Sequence, residues 1–210
     1  SSTLSWMWRR APGFFDVVTY EGDGVAGREV PHNLAAVPEM MWVKALDEPV
    51  SWLVYSKTLG ATEALRLDTN VASTVDPFWN NTAPTEEGFF VDANRRTNDG
   101  RFNYIAFLWA SVPGICDIGS YTGNGNYQDI DCGFTNGARF VLLKRTDGSG
   151  DWMYFDTLRG ITNSSSPMLR LNGTDAQDRA IFIRPFSGGF QVTANPTGIN
   201  GAAYIYIAIA

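Results

Sequence analysis

Few residues in this chain are of the types that drive chemistry at neutral pH. His32 is the only histidine, so a Ser/His/Asp or Cys/His mechanism has one candidate base. It lies in the strand-like stretch Val30-Pro31-His32-Asn33-Leu34, where an imidazole is expected to pack or face solvent. Two carboxylates could cleave a glycosidic bond if they lay about 5–9 Å apart. Asp16 and Asp117 recur, as do Asp68 and, loosely, Asp92. Asp16 and Asp117 each follow a Pro-Gly pair, a place suited to holding backbone N–H groups at a strand start. Asp147-Gly148-Ser149-Gly150-Asp151 offers oxygens to calcium but lacks the full ligand ladder, so a solvated turn is expected. No His/Cys/Asp/Glu grouping has zinc spacing, and no glycine-rich loop opens a helix to cradle phosphate. The expectation is a protein with no catalytic residue, metal or cofactor.

Recognition fits the residue types better. A saccharide surface uses flat rings for the apolar sugar faces and Asn, Asp or Thr for hydroxyls. Trp79-Asn80-Asn81-Thr82, the loop from Tyr121 through Asn124 to Tyr127, and Asn163-Ser164-Ser165-Ser166 supply both. Trp79, Asn80, Asn81, Tyr121, Asn124 and Tyr127 are the candidate ligand contacts. The competing reading is structural: Trp79 caps a core, and the Asn and Gly residues make turns. If a hairpin turns about Asn124, Tyr121 faces Tyr127 and Cys116 falls opposite Cys132. These two cysteines, too few for a disulfide framework, then either pack as buried thiols or close a cross-strand disulfide.

The elements that must position these groups come from a repeat. Pro12-Gly13-Phe14-Phe15-Asp16 with Tyr20-Glu21-Gly22-Asp23-Gly24 returns as Pro113-Gly114-Ile115-Cys116-Asp117 with Tyr121-Thr122-Gly123-Asn124-Gly125. Met41-Trp42-Val43-Lys44 matches Val141-Leu142-Leu143-Lys144, Trp52 matches Trp152, and Leu65-Arg66-Leu67 matches Leu169-Arg170-Leu171. A period of about a hundred residues is the size of a small domain. A tandem duplication is therefore expected, with residues 14–112 and 113–210 as the two units. Residues 1–13 read as a linker carrying the last strand of an earlier unit, Leu4 to Trp8, in a longer modular polypeptide.

Short runs rich in β-branched and aromatic residues dominate: Asp16 to Tyr20, Met40 to Lys44, Trp52 to Lys57, Ala64 to Asp68, Gly88 to Val91 and Asn103 to Trp109. Gly, Asn and Asp turns separate them, and no window keeps a helical period with caps at both ends. The fold class is all-β: two tandem antiparallel β-sandwiches of jelly-roll or lectin-like form. Trp52 to Tyr55 is apolar on both faces, which marks a central strand covered on each side. Tyr204 to Ile209 must be paired within the fold or covered by a neighbouring subunit. The net charge of −6 argues against nucleic acid, and no apolar run approaches the ~20 residues of a membrane-spanning helix.

Trp8-Arg9-Arg10-Ala11-Pro12-Gly13-Phe14-Phe15-Asp16-Val17-Val18-Thr19-Tyr20, with Val37-Pro38-Glu39-Met40-Met41-Trp42-Val43-Lys44 and the closing Tyr204-Ile205-Tyr206-Ile207-Ala208, resembles a repeat of tail-fibre-like virion proteins of tailed bacteriophages, cyanophages among them. The resemblance implies a sandwich fold on the virion exterior, with other virion proteins as partners and a homo-oligomer, a trimer in a fibre. It carries no catalytic residues to transfer. The reading is a host-recognition segment binding cell-surface polysaccharide. An architectural role in capsid decoration or head–tail attachment is the alternative, and a polysaccharide depolymerase the second.

Overall fold

The computed structural model describes residues 7–194 and 198–210, and over these residues it is all-β. The first half carries β1 (Phe15–Glu21), β2 (Arg28–Pro31), β3 (Met40–Ala45), β4 (Leu53–Ser56), β5 (Glu63–Arg66), β6 (Thr74–Val75), β7 (Gly88–Val91) and β8 (Asn103–Trp109). The second carries β9 (Cys116–Thr122), β10 (Gln128–Asp131), β11 (Phe140–Arg145), β12 (Trp152–Asp156), β13 (Leu169–Arg170), β14 (Ile183–Phe186), β15 (Gly189–Val192) and β16 (Ala203–Ile209).

Strand order coincides in the two halves. One large sheet runs β1-β8-β3-β4-β5-β6 and the other β9-β16-β11-β12-β13. Register agrees as well: Met40 pairs with Trp109 and Phe140 with Ile209, Ala45 with Tyr104 and Arg145 with Tyr204. The smaller sheets are β2-β7 and β10-β15-β14. All pairings are antiparallel, and β16 lies inside its sheet between β11 and β9.

Side-chain alternation sets the layering. On β3, Met41 and Val43 share a core with Val30, Phe89 and Val91 of the small sheet, while Met40 and Trp42 point the other way. On β11, Val141 and Leu143 join Ile130, Phe190 and Val192, while Phe140 and Leu142 point away. The outward sets meet each other. Met40, Val54, Leu65 and Trp109 form a third core with Phe140, Leu142, Trp152 and Ile207. The layers therefore run small sheet, large sheet, large sheet, small sheet, which is why the central strands are apolar on both faces. Each large apolar side chain fully buried contributes roughly 1.5–3 kcal/mol, so this middle layer is a major source of stability.

A polar seam borders it. Trp152 Nε1 donates to the Arg66 carbonyl at 2.8 Å, Gly150 N to Asn70 O at 2.8 Å, and Ser73 N to Thr146 O at 3.2 Å. Lys144, with no exposed surface, donates to Asn70 O at 3.1 Å and Gly150 O at 2.5 Å. Burial pushes its ammonium down to about 8. Trp8 packs edge-on against Trp109 and Phe140, with centroids 6.2 and 5.7 Å away. Residues 4–6 of the expected upstream strand lie outside the described residues, and Met7 and Trp8 are not in a strand.

The hairpin expected about Asn124 is corrected. β9 pairs with β16 and β10 with β15, so the glycine-rich segments carry the chain between sheets. Glycine is needed there for close approach: a Cβ at Gly22 would lie 2.0 Å from Asp99 O, and one at Gly123 2.4 Å from the Asn200 carbonyl carbon. The cross-strand disulfide falls with the hairpin. Cys116 faces the middle layer and Cys132 the second-half core, and both are free, buried thiols that burial pushes up to about 12.

Candidate functional site

The second half opens into a cleft of about 680 Å³ at the β11–β12 turn. Its rim is built from short-range polar contacts. Asp147 accepts Arg145 Nε at 2.7 Å and Ala203 N at 3.2 Å, folding the turn back on its strand. Asp151 accepts Arg170 Nε and Asn172 Nδ2, both at 2.9 Å, and Asn172 in turn accepts Trp152 N at 2.7 Å. Arg170, on β13, also faces Asp175 at 3.8 Å and Asp178 at 3.9 Å. A backbone bridge between Met168 and Asp178 fixes the far wall, and buried Ser166 Oγ accepts Phe182 N at 2.7 Å.

Met153, Met168, Phe182 and Tyr204 form the apolar lining, with Arg145, Asp151, Arg170 and Asp178 as its charged part. Around this mouth two guanidinium groups face four carboxylates, counting Asp147 and Asp175, a balance that disfavours an anionic ligand. The first half braces the site, since Asn70 O holds Gly150 N.

The first half closes the same region. Ala45 stands for Arg145, Val50 for Gly150, Leu53 for Met153 and Ala64 for Met168, all in or against the core. Phe78 and Trp79 fill the space above them. Trp79 is fully buried, donates Nε1 to Glu63 O at 3.1 Å and meets Tyr55 edge-on at 5.8 Å.

The six candidate ligand contacts read from sequence fall elsewhere, and none lines this cleft; of the residues weighed for chemistry, Ser149, Gly150 and Asp151 of the candidate calcium loop do. Trp79 is core. Asn80 and Asn81, at φ 50° and 51°, make the left-handed turn that releases the chain from it. Tyr121 is also core, stacked on Tyr204 at 5.1 Å and donating to Ile199 O at 2.7 Å. Asn124 is exposed, its N–H held by Asn200 Oδ1 at 2.8 Å. Tyr127 is exposed beneath the Arg184 guanidinium, 4.8 Å from ring centroid to Cζ. The first three belong to one half and the last three to the other, so they do not converge.

The candidate chemical groups are used locally. His32 Nδ1 accepts Leu34 N at 3.2 Å while Nε2 reaches Thr85 O at 3.2 Å. Burial works to raise Asp16, but hydrogen bonds from Asn33 N at 2.9 Å and Arg10 Nε at 2.6 Å win and hold its carboxyl below the usual range. Asp117 accepts the Tyr206 hydroxyl at 2.5 Å. Among the described residues no group of three or more His, Cys, Asp or Glu is placed to hold a metal ion. The Asp147–Asp151 loop spends its carboxylates on Arg145 and Arg170.

Arg170 and Asp178 were missed from sequence. The signal for this rim lay in departures between the halves, where Arg145, Gly150 and Asp151 replace Ala45, Val50 and Ser51, whereas Arg170 matches Arg66 and gave no such signal.

What the fold and cleft define is a pair of sandwiches joined through a common middle layer, open at one end. The chain belongs to the family described as Domain of unknown function (DUF7483), whose model matches residues 3–210. That span takes in both halves. No curated protein and no solved structure matches the chain.

Proposed function

We propose that the protein is a recognition segment of a phage virion appendage that holds an uncharged saccharide in the second-half cleft. The observation that carries this reading is the apolar lining beside a set of interlocked Arg–Asp pairs. A sugar ring would rest its C–H face on the apolar side chains. Its hydroxyls would donate to Asp151 and Asp178 and accept from Arg145 and Arg170. Arg170 is held by three aspartates, so little side-chain freedom is lost on binding. Those same pairs commit the carboxylates to the guanidinium, an arrangement suited to holding hydroxyls and not to attacking a glycosidic bond. The virion setting rests on the sequence resemblance, where presentation in number on an oligomer would multiply a weak single site.

A glycan array followed by titration of the best ligand tests the proposal. Arg170→Ala should weaken binding by about tenfold or more, the order of one lost charge-assisted contact. An array on which the folded protein binds nothing would favour the architectural role, and new reducing ends from incubated polysaccharide would favour a depolymerase.

A further inference from the structure

We infer that copies of this chain associate head to tail, the β13 side of the second large sheet in one copy seating on the β1-β8-β3 side of the first large sheet in the next. The observation behind this is a stagger in the middle layer. That layer buries Val54, Leu65 and Leu67 on the β4–β5 side of the first large sheet, and Ile118, Leu142 and Ile207 on the β9-β16-β11 side of the second. Positions matched by the repeat show what the stagger leaves uncovered. Val17, Trp42 and Phe107 lie half-buried at the fringe of the layer, where their counterparts Ile118, Leu142 and Ile207 are buried within it. In the second half the shortfall falls on the opposite side of the sheet: Leu67 is 8% exposed and its counterpart Leu171 44%. Among the described residues Ile105, Leu169 and Leu171 pack into none of the cores. Alternation and pairing nonetheless put each of them on a middle-layer face, Ile105 two residues from Phe107, Leu169 beside Tyr154 and Leu171 beside Trp152.

Each uncovered face continues an interface that already exists within the chain, where a second-half sheet covers a first-half sheet. A second copy extends that cover from β4–β5 across to β1-β8-β3, as bricks overlap in a wall. Lys44 is the cation of the receiving face, and its ammonium is held by Ala45 O at 2.6 Å and Glu48 O at 2.7 Å, so an apolar surface laid over it strands no unpartnered charge. Side chains alternate along β13: Leu169 faces the middle layer while Arg170 faces the cleft, so the contact leaves the cleft of every copy open. The two faces are different surfaces, which makes the contact heterologous and its product a ring or a filament. Either product displays the cleft in number.

The test is sedimentation velocity of the full chain over a concentration series, in which the mean mass should rise with concentration. Leu171→Glu and Ile105→Glu each place a charge on one of the two faces, and each should weaken association by about tenfold or more while circular dichroism stays unchanged. An equimolar mixture of the two variants keeps one intact pair of faces, so it should form dimers and nothing larger. If Ile105→Glu does not fold, Thr19→Arg takes its place, since Thr19 is exposed and pairs with Ile105 across the strands. A parent chain that stays monomeric up to about 1 mM overturns the inference and leaves these faces to a different partner. So does a mixture that stays monomeric, or a folded variant that associates as the parent does. No saccharide enters these measurements, so this inference and the reading of the cleft can fail separately.

Discussion

Between β5 and β7 the chain turns inward and sets Phe78 and Trp79 into the first core; between β13 and β15 it presents one ring, Phe182, beside an open cleft. The frames beneath are the same in strand order and register. What differs is a loop and the few strand-end residues it covers, apolar where the loop plugs the sandwich and charged where it does not. The comparison teaches that this frame tolerates either ending, because its stability is anchored in the middle layer shared by both halves. One half can be closed while the other keeps an open cleft.

The sharpest way to break the comparison is to unplug the first half. Trp79→Ala leaves a cavity in a filled core and strands the Glu63 carbonyl, and should cost about 3–5 kcal/mol in urea unfolding. Phe182→Ala, at the edge of an existing cleft, should cost clearly less. Equal costs would mean the two ends are packed alike.

A cross-strand pair sharpens it next. Val18 faces Ala106 in the first half, and Gly119 faces Tyr206 at the matching place in the second. A Cβ at Gly119 would lie 2.4 Å from the Tyr206 hydroxyl, so Gly119→Val should destabilise by about 1–3 kcal/mol. Combining it with Tyr206→Ala rebuilds the first-half pair, and the double variant should be less destabilised than the sum of the singles. Strict additivity would contradict the matched frames.

The smallest effect is a pH dependence at the seam. Burial lowers Lys144 from 10.5 to about 8, so between these values the unfolded chain holds a proton that the native chain has shed. Stability from this group therefore rises with pH across that window, and below about pH 8 the charged form bears its burial cost in full. Acting in the opposite sense are the Cys116 and Cys132 thiols, raised by burial from 9.0 to about 12, above about pH 9, and buried Tyr20 and Tyr121, also raised by burial, above about pH 10. Lys144→Met should remove this upward contribution, so that between about pH 8 and 10 the urea midpoint of the variant rises less, or falls more, than that of the parent. Lys44→Met should alter it less, because Lys44 is less strongly lowered and bonds only within its own half. An unchanged slope in Lys144→Met would show that the seam lysine titrates normally.

Strand positions were legible because β-branched and aromatic runs between glycine turns have one strong reading; Asn103–Trp109 and Gly88–Val91 match their strands residue for residue. β2 was legible only in part, since the strand-like stretch from Val30 to Leu34 overlaps it at Val30 and Pro31 alone, and β10 was read only as the return strand of a hairpin that the structure replaces. Pairing was not legible at Gly22-Asp23-Gly24 or Gly123-Asn124-Gly125, since the residues that close a hairpin also let a chain cross between sheets. Two-sided apolarity at Trp52 to Tyr55 announced cover on both faces, but nothing local could say that the other half supplied it. The cleft stayed hidden because Asp151, Arg170 and Asp178 meet only after folding. Trp79 and Tyr121, which have the residue types of a sugar platform, are spent on the cores.

Methionine methyl NMR tests the central claim most directly, because the five methionines report on different places. Met153 and Met168 line the cleft, Met41 sits in the first-half core and Met40 in the middle layer. Titration with the saccharide selected on the array should shift the Met153 and Met168 methyls and leave Met40 and Met41 in place. Shifts confined to Met41, or binding with no shift at Met153 and Met168, would contradict the assignment of recognition to the open half.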